Sequence, residues 1–111
     1  MNWITLNDVS QLVELKTYSE ITPQVIFKHS TRCSISNMAK NRLERSTVPQ
    51  GIRFYILDLL KFRNLSNQIA QEFSIMHQSP QILVISKGVC IYQESHSGIQ
   101  MDYILAKTIA A

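Results

Sequence analysis

The residues best suited to covalent chemistry stand together in the first third of the chain, in the run Ser30-Thr31-Arg32-Cys33-Ser34-Ile35-Ser36. A cysteine is a nucleophile only as the thiolate, and an ordinary thiol is mostly protonated at neutral pH. Cys33 stands where a helix is expected to begin. Unpaired backbone N–H groups and the positive end of the helix dipole favour negative charge there. Arg32 beside it and the nearby His29 add to that expectation. Ser36 follows three residues later on the same helical face. Its hydroxyl could reach the sulfur or cap the helix. Such a sulfur suits attack on a disulfide.

These residues need elements to hold them. Trp3–Leu6 reads as a short strand, followed by a helix that Asn7 or Asp8 caps, with Val9, Leu12, Val13 and Lys16 at helical spacing. Gln24–Lys28 reads as a buried strand and His29–Arg32 as a polar loop. A helix is expected over about Cys33 to Arg45, with Ile35, Met38, Ala39, Arg42 and Leu43 on one face. Ile52–Leu57 is a second buried strand, and Leu65–Phe73 a third helix that Asn64 would cap, with Leu65, Ile69, Ala70 and Phe73 inward. Gln81–Ser86 and Val89–Glu94 form a hairpin across Lys87-Gly88. A last helix spans about Ile99 to Ala110, with Met101, Ile104, Leu105 and Ile109 apolar. The order is β-α-β-α-β-α-β-β-α. The βαβ half demands a parallel pair with a right-handed crossover, and the hairpin adds antiparallel strands. The expected fold class is α/β, a mixed central sheet flanked by helices on both faces, with an N-terminal βα extension.

That topology brings four distant segments to one edge of the sheet. They are the loops after the two parallel strands, the start of the antiparallel strand at Ser79-Pro80, and the end of its hairpin partner at Ser95–Gly98. They carry His29, Thr31, Arg32, Cys33, Ser36, Arg63, Asn67, His77, Ser79, Pro80 and His96. Ligands of open α/β sheets bind at such an edge. Cys90 follows the Lys87-Gly88 turn and so falls at the opposite edge, about 15–20 Å away at about 3.3 Å per strand residue. A disulfide needs Cα atoms within about 7 Å, so no Cys33–Cys90 bond is expected, and Cys90 reads as a small buried apolar group.

Composition narrows the classes. The chain has 111 residues, 45% of them apolar and 17% charged, which suits one domain over 1–111 and not a disordered chain. No apolar run is long enough to span a bilayer, and no basic patch precedes an apolar stretch at the start, so the expected address is the cytoplasm with no membrane partner. The net charge of +3 is scattered without a basic stripe, so no nucleic-acid partner is expected. Two cysteines without metal-ligand spacing indicate no metal site.

The order of elements and the Cys33–Ser36 turn resemble the thioredoxin superfamily. Within it, Phe27-Lys28-His29-Ser30-Thr31-Arg32-Cys33-Ser34-Ile35-Ser36 resembles the monothiol bacilliredoxins, the YtxJ-like family. His77-Gln78-Ser79-Pro80-Gln81 is similar to that family's cis-proline segment, and Ser95-His96-Ser97-Gly98-Ile99 to its last strand-to-helix turn. Arg63-Asn64-Leu65-Ser66-Asn67 also fits, although the family often has proline where Leu65 stands. The resemblance implies a thioredoxin-like fold and a monothiol thiol–disulfide oxidoreductase. It would remove bacillithiol from protein mixed disulfides through Cys33, aided by Arg32 and Ser36. Bacillithiol, a low-molecular-weight thiol, would be the co-substrate, and bacillithiol-modified proteins the partners of a monomer or weak dimer. Ser36 takes the place of a resolving cysteine and cannot form a disulfide, so an outside thiol would regenerate Cys33. Phe27 stands where thioredoxins carry a buried acid, a group tied to resolving-cysteine chemistry. Pro80 would be cis and turn the Ser79 backbone towards substrate. Thr31, Ser79, Pro80, Arg63, Asn67, His77 and His96 would contact substrate, the arginines and the last helix's N-terminus holding carboxylates.

Two other classes stay open on sequence. One is a redox-inactive thioredoxin-like adaptor that binds through the Pro80 edge, against which an exposed cysteine argues. The other is an iron–sulfur carrier like the monothiol glutaredoxins, which have Cys-Gly-Phe-Ser where this chain has Cys-Ser-Ile-Ser.

Overall fold

A computed structural model describes residues 1–110. The elements are β1 (Trp3–Thr5), α1 (Ser10–Ser19), β2 (Gln24–His29), α2 (Ser34–Glu44), β3 (Arg53–Asp58), α3 (Arg63–Glu72), β4 (Gln81–Ser86), β5 (Val89–Ser95), a 3-10 turn at His96–Gly98, and α4 (Met101–Ala110). The five strands lie in the order β1-β3-β2-β4-β5. Strands β1 and β2 run parallel to β3, and β4 runs antiparallel to β2 and β5. This is the expected mixed sheet, with the N-terminal βα pair contributing its edge strand.

Strands β2 and β4 are buried along their whole length, as strands covered on both faces must be. Their alternating side chains divide into two cores. Ile26, Leu83 and Ile85 pack with Leu12 and Leu15 of α1 and with Leu65 and Ile69 of α3. Val25, Phe27, Ile82 and Val84 pack with Ala39 and Leu43 of α2 and with Met101 and Ile104 of α4. Trp3 stacks on Phe27 at 5.6 Å in this second core. So α1 and α3 cover one face, and α2 and α4 the other. At the far end Lys87 and Gly88 both have positive φ, 51° and 76°, the tight turn that suits a two-residue hairpin. Their N–H groups donate to the Ser19 carbonyl and hydroxyl at 2.9 Å, tying the hairpin to the end of α1.

Several boundaries differ from the sequence reading. β2 continues through His29, because its partner β3 continues to Asp58 and the His29 carbonyl accepts the Leu59 N–H at 3.0 Å. Helix α3 begins at Arg63 without Asn64 as cap; the Asp58 carboxylate instead accepts the Leu60 and Lys61 N–H groups and turns the chain into the helix. The last helix starts at Met101 and not Ile99, because the 3-10 turn comes first. Val13 and Ile109 point to solvent, while Leu15 and Thr108 are buried. Helix α2 is rotated by one residue from its expected face. Ser36, Ala39 and Leu43 face the sheet, and Ile35 and Met38 stand 49% and 61% exposed. Small side chains at Ser36 and Ala39 let the helix lie close to β2.

Candidate functional site

Cys33 is the first residue past the turn that leaves β2, and the strand register decides what surrounds it. Lys28 pairs with Gln81, and Gln81 pairs with Ser95. The segments just beyond these residues therefore meet: Ser30–Cys33, Ser79-Pro80 and His96. The Ser79–Pro80 peptide is cis, and the Pro80 carbonyl accepts the His96 N–H at 3.3 Å.

Cys33 caps α2 in extended backbone, with φ −104° and ψ 121°. Its N–H donates to the Ser30 carbonyl at 3.2 Å, and its carbonyl accepts the Asn37 N–H at 3.0 Å. The side chain makes no capping bond, so the half-buried sulfur stands free beside the first-turn N–H groups. Arg32 and Thr31 are exposed on the same turn, and the Thr31 carbonyl accepts from Asn37 Nδ2.

Ser36 does not serve as a helix cap, and its hydrogen bonds are not to Cys33. It is wholly buried, shares a 2.6 Å hydrogen bond with His29 Nδ1, and accepts the Ser30 N–H at 3.0 Å. His29 lies not in a polar loop but at the buried end of β2, its ring stacked 5.4 Å from Phe27. Burial lowers its pKa from the ordinary value; Lys40 adds to this, and Asp58 and Glu44 oppose it. The ring is therefore neutral at neutral pH, and the expectation that it adds positive charge beside Cys33 is corrected. Burial is the reason.

A cavity of about 320 Å³ opens between α2 and the 3-10 turn, lined by Ile35, Met38, Arg42, His96 and Ser97. Arg42 ties α2 to this turn, donating to the Ile99 carbonyl at 2.9 Å and to the His96 carbonyl at 3.4 Å. His96 has a φ of 54°, a conformation that bends the chain at this point.

The remaining expected residues form a second group. Arg63 and Asn67 are exposed on α3, which packs on the face of the sheet opposite α2. They share the edge with Cys33 but not its face, because the thickness of the sheet separates the two helices. His77 belongs to this group too. Its Nδ1 lies 3.2 Å from Lys28 Nζ, and Lys28 also donates to the Ser66 carbonyl at 3.0 Å. An ammonium only donates, so the His77 ring proton sits on Nε2. Burial lowers the His77 pKa, with Lys28 and Arg63 adding to the effect. Lys28 is wholly enclosed, and burial brings its pKa down to about 8. Sequence reading passed over Lys28. The available signal was a lysine inside an otherwise apolar strand. Cys90 lies in β5 opposite Ile85, half-buried, and donates to the Tyr92 carbonyl; burial raises its pKa. Both cysteines are free. Among the described residues no helix is long and apolar enough to cross a membrane, and no three His, Cys, Asp or Glu side chains gather as metal ligands.

The sequence matches the family described as monothiol bacilliredoxin BrxC over residues 4–104. Among solved structures, a candidate oxidoreductase with a thioredoxin fold superposes with a TM-score of 0.80 at 25% identity, covering 96% of this chain and 92% of that one. The thioredoxin of Malassezia sympodialis gives 0.72 at 19% identity, over 98% of this chain and 90% of that one. The thioredoxin of Trypanosoma brucei brucei gives 0.72 at 14%, over 98% and 91%. The fold is thioredoxin-like.

Proposed function

The chain belongs to the monothiol bacilliredoxin family, and on that premise we propose that it removes bacillithiol from protein mixed disulfides in the cytoplasm. Family membership and fold support a thiol–disulfide oxidoreductase in general. The observation that carries the finer reading is one free, half-buried cysteine at the N-cap of α2, its side chain making no capping bond, with a serine and not a cysteine three residues on.

In the first step the Cys33 thiolate attacks the sulfur of bacillithiol in the mixed disulfide. A bond forms between Cys33 and bacillithiol, and the protein leaves as its thiolate. Cys90 sits in the hairpin at the far end of the sheet, so no second cysteine of this chain resolves the new disulfide. A second low-molecular-weight thiol then attacks it, restoring Cys33 and carrying bacillithiol away as a small disulfide. Arg32 and Thr31 flank the reacting sulfur. Ser79, Pro80 and His96 line the side where a substrate chain would lie. Arg63, Asn67 and His77 would contact only a ligand long enough to cross the sheet edge.

The test is intact-mass analysis after mixing with a bacillithiol-modified protein. The bacillithiol mass moves to Cys33 and fails to move in Cys33→Ser. No transfer under conditions where a control redoxin works rejects the reading. Cys33 alkylating no faster than an unstructured cysteine would favour a binding adaptor instead.

A further inference from the structure

The chain that leads into Ser79-Pro80 is anchored by side chains. Among the described residues, the backbone of residues 76–79 bonds to no other backbone group. Two wholly buried polar side chains, Lys28 of β2 and Gln81 of β4, reach it from the sheet, where they are register partners. The Gln81 amide donates to the Met76 carbonyl at 3.0 Å and accepts the Gln78 N–H at 3.2 Å. Lys28 Nζ donates to His77 Nδ1 at 3.2 Å and to the Ser66 carbonyl at 3.0 Å. Ser66 Oγ stands 3.5 Å from the same ring nitrogen. No carboxylate pairs with Lys28 among the described residues. A buried ammonium without a counter-charge is costly, and an apolar side chain of its length would fill the strand position at less cost. Such a breach of local rules points to a task. The Gln81 anchor is neutral at every pH. The Lys28 anchor depends on one lone pair of the His77 ring, which a second ring proton removes. His77 is exposed, so protons reach it from solvent.

We propose that Lys28 and His77 are positioning residues for the substrate chain: their hydrogen bond holds residues 76–79, and with them the Ser79 backbone beside which that chain lies, until His77 takes up a proton. The inference rests on the exchange proposed for Cys33 and adds the groups that seat its substrate. The neutral ring accepts from Lys28 at Nδ1 and keeps its own proton on Nε2. A second proton goes to Nδ1. The imidazolium then has no lone pair, and two cations face each other across the former bond. The segment moves off Lys28, whose ammonium keeps the Ser66 carbonyl. The charged groups that act on the ring are Lys28 of β2 and Arg63 of α3, both cations. Both resist the proton, so the anchor holds at neutral pH and opens in acid. Linkage makes the effect reciprocal. A chain that prefers the anchored segment weakens the hold of His77 on its proton by the same factor that protonation weakens the chain.

The experiment measures kcat and KM against pH for a peptide that carries bacillithiol as a mixed disulfide. The reaction of Cys33 with 2,2′-dithiodipyridine, which has no chain to seat, is the reference for the sulfur itself. Lys28→Met raises KM about tenfold at neutral pH, the scale of one hydrogen bond to a charged group, and the loss falls on KM and not on kcat. In the parent KM climbs by the same factor as His77 is protonated. His77→Asn, whose amide oxygen replaces Nδ1 as acceptor, keeps the low KM and loses the acid climb. For the reciprocal arm a cysteine peptide is joined to Cys33 as a mixed disulfide in a Cys90→Ser background, and the His77 pKa is followed by NMR. Attachment lowers it by about one pH unit in the parent, the tenfold factor in another form, and leaves it in place in Lys28→Met. A folded Lys28→Met protein with the parent's KM overturns the proposal, as does an acid climb that survives in His77→Asn. Should Lys28→Met not fold, His77 of the parent decides, and a pKa unmoved by the attached chain overturns the proposal. If the bacillithiol peptide is not turned over while the attached chain still moves His77, the substrate is rejected and the positioning role stands.

Discussion

At the scale of single residues, burial and not sequence neighbourhood decides which charges exist. Lys28 illustrates this on the alkaline side. Its folded-state pKa is about 8 against an ordinary 10.5. Between those values the unfolded chain holds more protons, so the cost of burying the ammonium is full below about pH 8 and gone above 10.5. Stability from this group therefore rises with pH across that window. Urea unfolding at about pH 7.5 and about pH 9.5 should show this rise in the parent and not in Lys28→Met. Equal slopes would mean that Lys28 is not the group responsible. His29 and His77 act on the acid side, where burial holds both below the ordinary 6.5. Protons bind the unfolded chain first, so stability falls as the pH drops below about 6.5. The acid limb of a midpoint-against-pH curve should flatten in His29→Phe, and a limb unchanged in that variant would contradict the assignment.

At the scale of elements, the turns that meet around Cys33 have strained and tight positions where the strands do not. His96 holds a positive φ of 54° in the 3-10 turn, a conformation that costs a residue with a Cβ about 1–2 kcal/mol. Glycine avoids that strain but loses more chain entropy on folding. His96→Gly should therefore leave stability unchanged or raise it by up to about 1 kcal/mol, read from denaturant midpoints. A loss beyond about 1 kcal/mol would show that the imidazole itself braces the turn. The rotated face of α2 has its own consequence. Ile35 and Met38 are exposed and line the cavity between α2 and the 3-10 turn, so replacing Met38 with Gln removes apolar surface from that cavity and not from the core. Its effect on unfolding should stay within about 0.5 kcal/mol, while transfer from a protein mixed disulfide slows. An unfolding loss of core size would place Met38 in the packing after all.

Across the whole molecule, one sheet joins two separate cores. Leu43 and Ile69 are wholly buried on opposite faces. Truncating either to alanine should cost about 2–4 kcal/mol. Trp3 sits in the core that holds Leu43, so its fluorescence reports that face, and far-ultraviolet dichroism reports the whole chain. If the two cores unfold together, Ile69→Ala shifts the Trp3 transition as far as the dichroism transition. A fluorescence midpoint that stays at the parent value would mean that the faces unfold independently.

Much of this could be read along the chain. Every strand and helix is a local pattern of apolar spacing and turn residues, and the parallel-then-antiparallel order follows from which connections are long enough to cross over. That order alone carries Cys33, Ser79-Pro80 and His96 to one edge and Cys90 away from it. What lies around each side chain depends on register and on the angle at which a helix meets the sheet, and neither is a local property. So the neutral, buried state of His29, the bonds that take Ser36 away from the sulfur, the enclosed Lys28 and the division of the edge between two faces were decided only when the layers packed.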